Sequence, residues 1–307
     1  MIKVFTDGGA GTTGLRINDR LKERGDIEFI RLPEAVRKDA AARKDAIFSA
    51  DIVFLCLPDA AAVEASELAE GSSAVIIDTS TAHRVSDGWV YGFPELTGQR
   101  EKIKNSKRIA NPGCHASGFI SLVAPLTESG IIPKDFALSC FSLTGYSGGG
   151  KGMIAEYESD ELDPLLQAPR MYGLTQKHKH LPEMAKLCSL TVSPIFCPVV
   201  STYYSGMEVT VPLFAKDING GIGDIKKVYS DYYKTGLVKF IDNDNESGFM
   251  SAGALSGRDD MHITVSGNDE RILLISRFDN LGKGASGSAI QNMNIVLGLD
   301  EKTGLNV

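Results

Sequence analysis

The stretch Ile2-Lys3-Val4-Phe5-Thr6-Asp7-Gly8-Gly9-Ala10-Gly11-Thr12-Thr13-Gly14-Leu15 decides the architecture of the first part of the chain. A short apolar run ends in Gly8, Gly11 and Gly14, and residues 12–24 then read as a helix, with Leu15, Ile17 and Leu21 interleaved among Arg16, Arg20, Lys22 and Glu23. Glycines at such a turn permit positive φ, let backbone approach a pyrophosphate, and let helix pack close on strand. The helix start adds free N–H groups and a positive dipole end. The spacing is GxxGxxG rather than GxGxxG, so a tight structural turn is the bland alternative. The strand-turn-helix setting favours phosphate binding at Gly8, Gly11, Thr12, Thr13 and Gly14.

Outward from this loop the alternation continues. Ile27–Ile30 reads as a second strand, Asp51–Leu57 and Ala74–Asp78 as strands buried on both faces, and Ala60–Ala69 as a helix. Strands separated by helices imply parallel crossovers and a doubly wound, Rossmann-type α/β sheet. The second strand runs out into Arg31-Leu32-Pro33-Glu34. An arginine there suits a ribose 2′-phosphate and points to NADP, although Glu34 lies close by.

From about residue 136 the texture changes to longer alternating runs: Phe136–Leu143, Thr191–Phe196, Met207–Phe214, His262–Val265 and Arg271–Phe278. Helix signals interrupt them at about 148–160 and 224–235. This predicts an α+β unit with a mostly antiparallel sheet packed on helices. Residues 285–299 return to helical spacing, with Ala289, Ile290, Met293, Val296 and Leu297 on one stripe. The expected division is a dinucleotide-binding domain over 1–113, a catalytic and oligomerisation domain over 114–284, and a C-terminal helix over 285–307 that returns to the first domain.

With 307 residues, 43% of them hydrophobic, the chain has material for two cores. Lys+Arg number 32 against Asp+Glu 39, a net charge of −7 that argues against a nucleic-acid partner. No run approaches the ~20 apolar residues of a membrane span, and no signal-peptide pattern precedes the first strand. The five cysteines (Cys56, Cys114, Cys140, Cys188, Cys197) are odd in number, scattered and without a CxxC pair. A disulfide framework or zinc ribbon is therefore not expected, and the cytosol, where thiols stay reduced, is.

One cysteine stands apart. In Asn111-Pro112-Gly113-Cys114-His115-Ala116-Ser117-Gly118 the Pro-Gly turn ends a strand, and Cys114 opens a helix running through Phe119, Leu122, Val123 and Leu126. A helix start stabilises a thiolate, lowering its pKa, and its N–H groups are placed to hold an oxyanion. The other four cysteines sit in apolar context and read as small buried residues. A thiol nucleophile needs an acid/base partner. His178 and His180, two residues apart in Lys177-His178-Lys179-His180-Leu181-Pro182-Glu183, are the foremost candidates. In an extended segment both rings would point the same way, but no further ligand cluster accompanies them, so no metal is expected. His83 and His115 stay open as partners, and His262 reads as an ordinary strand residue.

Taken together, DGGAGTTG at 7–14, DTSTAHR at 78–84, VYGFPEL at 90–96, NPGCHASG at 111–118, TGYSGGGK at 144–151, HKHLPE at 178–183 and DNLGKGASGSAIQNMN at 279–294 make the chain resemble the N-acetyl-gamma-glutamyl-phosphate reductases, in their shorter type. The resemblance spans essentially the whole length. It implies NADPH-dependent reduction of N-acetyl-L-glutamyl 5-phosphate to the 5-semialdehyde and phosphate through a cysteine thioester, a step of arginine biosynthesis. By position it implies Cys114 as nucleophile, His180 as acid/base with His178 close by, and the Gly8–Gly14 loop as pyrophosphate site. Asn280 and Gly284 would reach the nicotinamide, and Arg84, Ser147, Gly148 and Lys151 would line the substrate pocket. It also implies self-association, as a homodimer or homotetramer. The related aspartate-semialdehyde dehydrogenases and aminoadipyl-phosphate reductases are the alternative enzymes, and an NADP-sensing protein without turnover is the alternative from another class.

Overall fold

A computed structural model describes residues 1–307. The chain forms two compact units, Met1–Pro112 with Ala285–Leu305, and Gly113–Gly284 with Asn306–Val307. No helix is long and apolar enough to cross a membrane.

The first unit is built on six strands: β1 (Ile2–Asp7), β2 (Ile27–Ile30), β3 (Ile52–Leu55), β4 (Val75–Asp78), β5 (Val90–Tyr91) and β6 (Arg108–Ala110). They lie in the order β2-β1-β3-β4-β6-β5, and every neighbouring pair is parallel. Helices α1 (Thr12–Leu21), α2 (Ala40–Ser49), α3 (Asp59–Leu68) and α4 (Gln99–Lys104) connect them. All four residues of β3 are buried, and its pleat sorts them between two layers. Ile52 and Phe54 join Ile17, Leu21 and Ile103, together with Ile290 and Met293 of the C-terminal helix Gly287–Val296. Val53 and Leu55 join Ala46, Ile47 and Ala65 on the other face. Helices on both faces make the sheet doubly wound. The chain places β2 on one side of β1 and β3 on the other, and a sheet of this kind offers its ligand crevice at such a reversal, beyond the carboxyl ends of the strands.

The C-terminal helix is fastened into this unit through its polar residues. Asn292 Nδ2 donates to the Gly92 carbonyl at 2.9 Å, Gln291 Nε2 to Glu95 Oε1 at 2.9 Å, and Arg24 Nη1 to Asn294 Oδ1 at 2.8 Å.

The second unit carries β7 (Ser139–Gly145), β8 (Arg170–Met171), β9 (Ile195–Ser201), β10 (Met207–Phe214), β11 (Val238–Phe240), β12 (Met261–Gly267) and β13 (Arg271–Phe278). Their order is β11-β12-β13-β10-β7-β9-β8. β11–β12 and β7–β9 are parallel and the other four pairs antiparallel, so the sheet is mixed with an antiparallel majority. Helix α5 (Cys114–Glu128) packs on β10 and β13, and it is followed by α6 (Gly150–Tyr157), α7 (Leu181–Leu187) and α8 (Ile222–Tyr232).

Residues 115–127 of α5 are all buried, including Pro125. Proline removes the N–H that the Ser121 carbonyl would accept. The Tyr233 hydroxyl donates to that carbonyl at 2.6 Å, and Tyr229 of α8 serves the next one, Leu122, at 2.5 Å. The carbonyl that Pro125 leaves without its helical partner is thus satisfied by Tyr233, and Tyr229 adds a second bond beside it. The opposite face of the sheet leaves Phe141, Leu143 and Leu273 exposed.

Candidate active site

In the first unit, Gly8 ends β1 with φ of +81°, and a Cβ there would lie 2.3 Å from the Cys56 carbonyl oxygen. Only glycine fits this turn. Gly11 caps α1 with no side-chain bond, so the N–H groups of the first turn have no acceptor within the helix. Thr12 Oγ1 is buried without a hydrogen-bond partner. Orphaned donors at a glycine-shaped helix start are the set a pyrophosphate requires, so these residues fit a dinucleotide. Thr13 and Gly14 complete the same turn.

A cleft of about 450 Å³ adjoins the loop, lined by Gly8, Asn18, Lys22, Arg31, Arg37 and Lys38 among others. The Arg31 guanidinium sits 5.5 Å over the Phe29 ring, and Arg37 pairs with Glu34 at 2.6 Å. Glu34 is thereby drawn toward a cation of its own segment. Arg37 and Lys38 went unread in the sequence, where their signal is a basic pair six residues beyond Arg31.

Arg84 lies in the loop after β4. Its Nε donates to the Asn111 carbonyl at 3.0 Å and its Nη2 to the Thr79 carbonyl at 3.2 Å, which fix the position of its charge. His83 is built into the same loop. Its Nδ1 bonds buried Asp78 at 2.7 Å and its ring stacks on Trp89 at 4.0 Å, a structural setting for a histidine that the sequence leaves open.

In the second unit, Cys114 is the first residue of α5, and it is half-buried. Gly113 takes the capping position, and its N–H donates to Glu183 Oε2 at 3.1 Å. The first-turn N–H groups of α5 face the sulfur's end of the helix, and an anion there is stabilised by the helix dipole. Burial pushes the Cys56 thiol up to about 12 and those of Cys140 and Cys188 well above the ordinary range, which makes all three poor nucleophiles.

The histidine pair is not extended. Gln176 at φ of +55° turns the chain, and the His180 N–H donates to His178 Nδ1 at 3.2 Å. The two rings meet edge to face, 4.7 Å between centroids. His180 is buried, and its Nε2 lies 3.9 Å from Glu183 Oε1. The Glu183 carboxylate therefore stands beside the acid/base candidate while its other oxygen holds the turn that delivers Cys114.

His115 brings these parts together. Its ring is 5.7 Å from that of His178 and 5.5 Å from that of His180. Burial, with a smaller contribution from His178, lowers its pKa to about 3, so it is neutral at any working pH. A buried neutral imidazole cannot be the proton store of the reaction.

Gly284 lies against Cys114, since a Cβ on it would be 3.0 Å from Cys114 Cβ. It belongs to a single π-helical turn, Gly282–Ser286. Asn280 is buried, accepts from the Gly206 N–H at 2.9 Å and donates to Ser147 Oγ at 3.0 Å. Two positions with separate implied duties thus share one hydrogen bond. Gly148 is exposed next to Ser147, and Lys151 is exposed in the first turn of α6.

A parallel sheet with a phosphate-ready glycine turn, joined in one chain to a mixed sheet that carries a cysteine at a helix start, has the form of a dinucleotide-dependent oxidoreductase. Two family models agree: "Semialdehyde dehydrogenase, NAD binding domain" matches residues 12–106 and "Semialdehyde dehydrogenase, dimerisation domain" matches 114–280. The chain is 42% identical over 99% of both lengths to an N-acetyl-gamma-glutamyl-phosphate reductase of Nostoc sp. strain PCC 7120. It is 45% identical over 96% of its length, and 99% of the relative's, to the protein of that name from Brucella suis. Aspartate semialdehyde dehydrogenase II of Vibrio cholerae shares the fold, with a TM-score of 0.72 at 15% identity over 97% and 98% of the two chains. The chain belongs to the semialdehyde dehydrogenase family, in the group that carries the name N-acetyl-gamma-glutamyl-phosphate reductase.

Proposed function

We propose that the chain reduces N-acetyl-L-glutamyl 5-phosphate to N-acetyl-L-glutamate 5-semialdehyde with NADPH, in arginine biosynthesis in the cytosol. The observation that carries the chemistry is Cys114 at the start of α5, with Glu183 tying that turn to His180. The relatives at 42% and 45% identity support the choice of acyl group.

The Cys114 sulfur attacks the acyl carbon, the helix-start N–H groups hold the oxyanion, and the C–O bond to phosphate breaks. His180 takes the thiol proton and passes it to the departing phosphate. Its partner His178 holds the turn by accepting the His180 N–H. NADPH held at the Gly8–Gly14 turn would supply the hydride that reduces the thioester carbon. His180 then delivers a proton from solvent to the sulfur as the hemithioacetal oxyanion collapses to the aldehyde. Arg84 offers a fixed positive charge to a substrate carboxylate or to phosphate, with Ser147, Gly148 and Lys151 as further substrate positions. Asn280 and Gly284 are proposed to face the nicotinamide.

The reverse reaction tests the reading. Phosphate, NADP and N-acetylglutamate semialdehyde should yield the absorbance of reduced cofactor, whereas aspartate semialdehyde should yield little. The opposite preference would transfer the chain to the aspartyl branch, and no turnover of either would favour a sensor.

NADP is supported by the basic lining of the cleft. Replacing both Arg31 and Arg37 by Ala should raise the KM for NADPH about 10- to 100-fold and change that for NADH about twofold at most, because only the 2′-phosphate loses charged donors. Equal losses for both cofactors would refute that assignment. The exposed Phe141, Leu143 and Leu273 support a homodimer or homotetramer in which a second copy covers this face of the dimerisation domain.

A further inference from the structure

Helix α6 has no buried residue, and Gly150 and Gly152 are two of its eight positions. A helix this short is marginal on its own and glycine weakens it further, so its place must be set from outside. The core does not set it. Gly152, Ala155 and Glu156 line a cavity of about 460 Å³ together with Leu166 and Arg170, so one side of the helix adjoins open space.

Two tyrosine rings set it instead. Tyr157, the last residue of α6, lies flat on Tyr146, the residue after β7, with centroids 4.7 Å apart and planes 5° from parallel. Tyr146 is fixed from behind: its N–H donates to the Tyr203 carbonyl at 3.0 Å, and the Tyr204 ring meets it edge-on at 5.6 Å. Its hydroxyl donates to Glu158 Oε1, at the end of α6, at 3.2 Å, and Arg170 Nη2 donates to the Tyr157 hydroxyl at 3.1 Å. Between the two rings run Ser147, Gly148, Gly149, Gly150 and Lys151. Ser147 belongs to the fixed end, buried, with its N–H on the Tyr204 carbonyl at 3.0 Å and its Oγ accepting from Asn280. Beyond it the chain turns at Gly150, whose φ of +75° strains any side chain, and a Cβ on Gly149 would lie 2.7 Å from Met153 Cβ. Three glycines in a row, between an anchored strand end and a helix that buries nothing, form a hinge.

We propose that Tyr146 and Tyr157 are positioning residues whose stack closes this hinge and so sets Lys151, in the first turn of α6, against an anionic group of the acyl phosphate. The inference rests on the substrate position of Lys151 proposed above, and it adds the device that holds the cation there. A lysine ammonium is a point charge on a flexible stem, so what it contributes depends on where its helix stands. With the stack broken, α6 swings on Gly148–Gly150 and the charge leaves the substrate.

Kinetics and hydrogen exchange on the full-length protein test it. In the reverse reaction Lys151→Ala should raise one KM about tenfold: that for inorganic phosphate if the cation meets the phosphate, that for N-acetylglutamate semialdehyde if it meets the carboxylate. Tyr157→Ala should raise the same KM about 3- to 10-fold with the KM for NADP unchanged, and Tyr157→Phe, which keeps the ring, should restore it. Tyr157 is only half-buried, so neither change opens the core. Beside Tyr157→Ala, Lys151→Ala should cost no more than about threefold further. A full tenfold loss in both backgrounds would separate the stack from the lysine and overturn the proposal, as would unchanged KM values in Tyr157→Ala. Amide exchange over residues 150–157 should quicken about 3- to 10-fold in Tyr157→Ala and not in Tyr157→Phe, and equal exchange in the two would remove the hinge closure. Absence of turnover by the unaltered chain would strike the reductase reading instead, and the exchange measurement decides the stack independently of substrate.

Discussion

Cys114→Ser should lower turnover on the order of 10⁴-fold or more while leaving NADPH affinity within about twofold. A thiol at the first position of a helix gains from the dipole and from unpaired N–H groups because its anion is accessible near neutral pH. A serine hydroxyl in the same place stays protonated, and the helix has no anion to stabilise. The substitution changes one atom and leaves Cβ in place, so the close packing of Gly284, where an added Cβ would lie 3.0 Å from Cys114 Cβ, is undisturbed by the smaller oxygen. The glycine turn at Gly8–Gly14 belongs to the other unit, so cofactor titration by fluorescence should be unaltered. Steady-state rates and that titration, made on one preparation, separate loss of chemistry from loss of fold. Turnover like that of the unaltered chain would remove the covalent route.

His180→Asn should cost about 10²- to 10⁴-fold in kcat, because both acylation and thioester reduction lose their proton carrier. His180 is buried beside Glu183, and the same carboxylate holds the Gly113 N–H at 3.1 Å. Asparagine keeps a polar group in that space but has no proton to exchange at neutral pH. Glu183→Gln is the informative companion. It should lower kcat less than His180→Asn, because the amide still meets Gly113 while its charge next to the imidazole is gone. A loss confined to a His178→Asn variant, with His180→Asn fully active, would reassign the acid/base to His178.

How far these elements were legible follows from the range of the forces that make them. The continuous apolar runs at 51–57 and 74–78 become strands buried on both faces, because that composition suits no other place in a parallel sheet. Helix α5 starts at Cys114, since Pro112 and Gly113 end the strand locally. Helix α2 went unread. Its Ala40–Ser49 segment has no apolar stripe, and it buries Arg43, whose charge is matched by Asp7 at 2.9 Å, 36 residues earlier. Strand β9 was expected over Thr191–Phe196 and lies at Ile195–Ser201, its ladder with β7 carrying Pro198 through.

The C-terminal helix shows both sides of the matter. Its stripe of Ala289, Ile290 and Met293 enters the core as the spacing predicts. The polar Gln291, Asn292 and Asn294 are equally buried, because they bond to backbone, carboxylate and guanidinium groups up to 270 residues away. In the site, Cys114 and the two histidines are visible as residue types in a pattern. Glu183 is ordinary in sequence and acquires meaning only through a partner 70 residues distant.

The proposed chemistry requires that residue 114 carry the acyl group. It is tested most directly by mixing the protein with N-acetylglutamyl 5-phosphate in the absence of reduced nicotinamide, quenching in acid, and mapping the mass of the peptide that contains Cys114. One N-acetylglutamyl group is expected on that peptide, removed by hydroxylamine and by a later supply of NADPH. An unmodified Cys114 in a protein that still turns over when NADPH is added would contradict it.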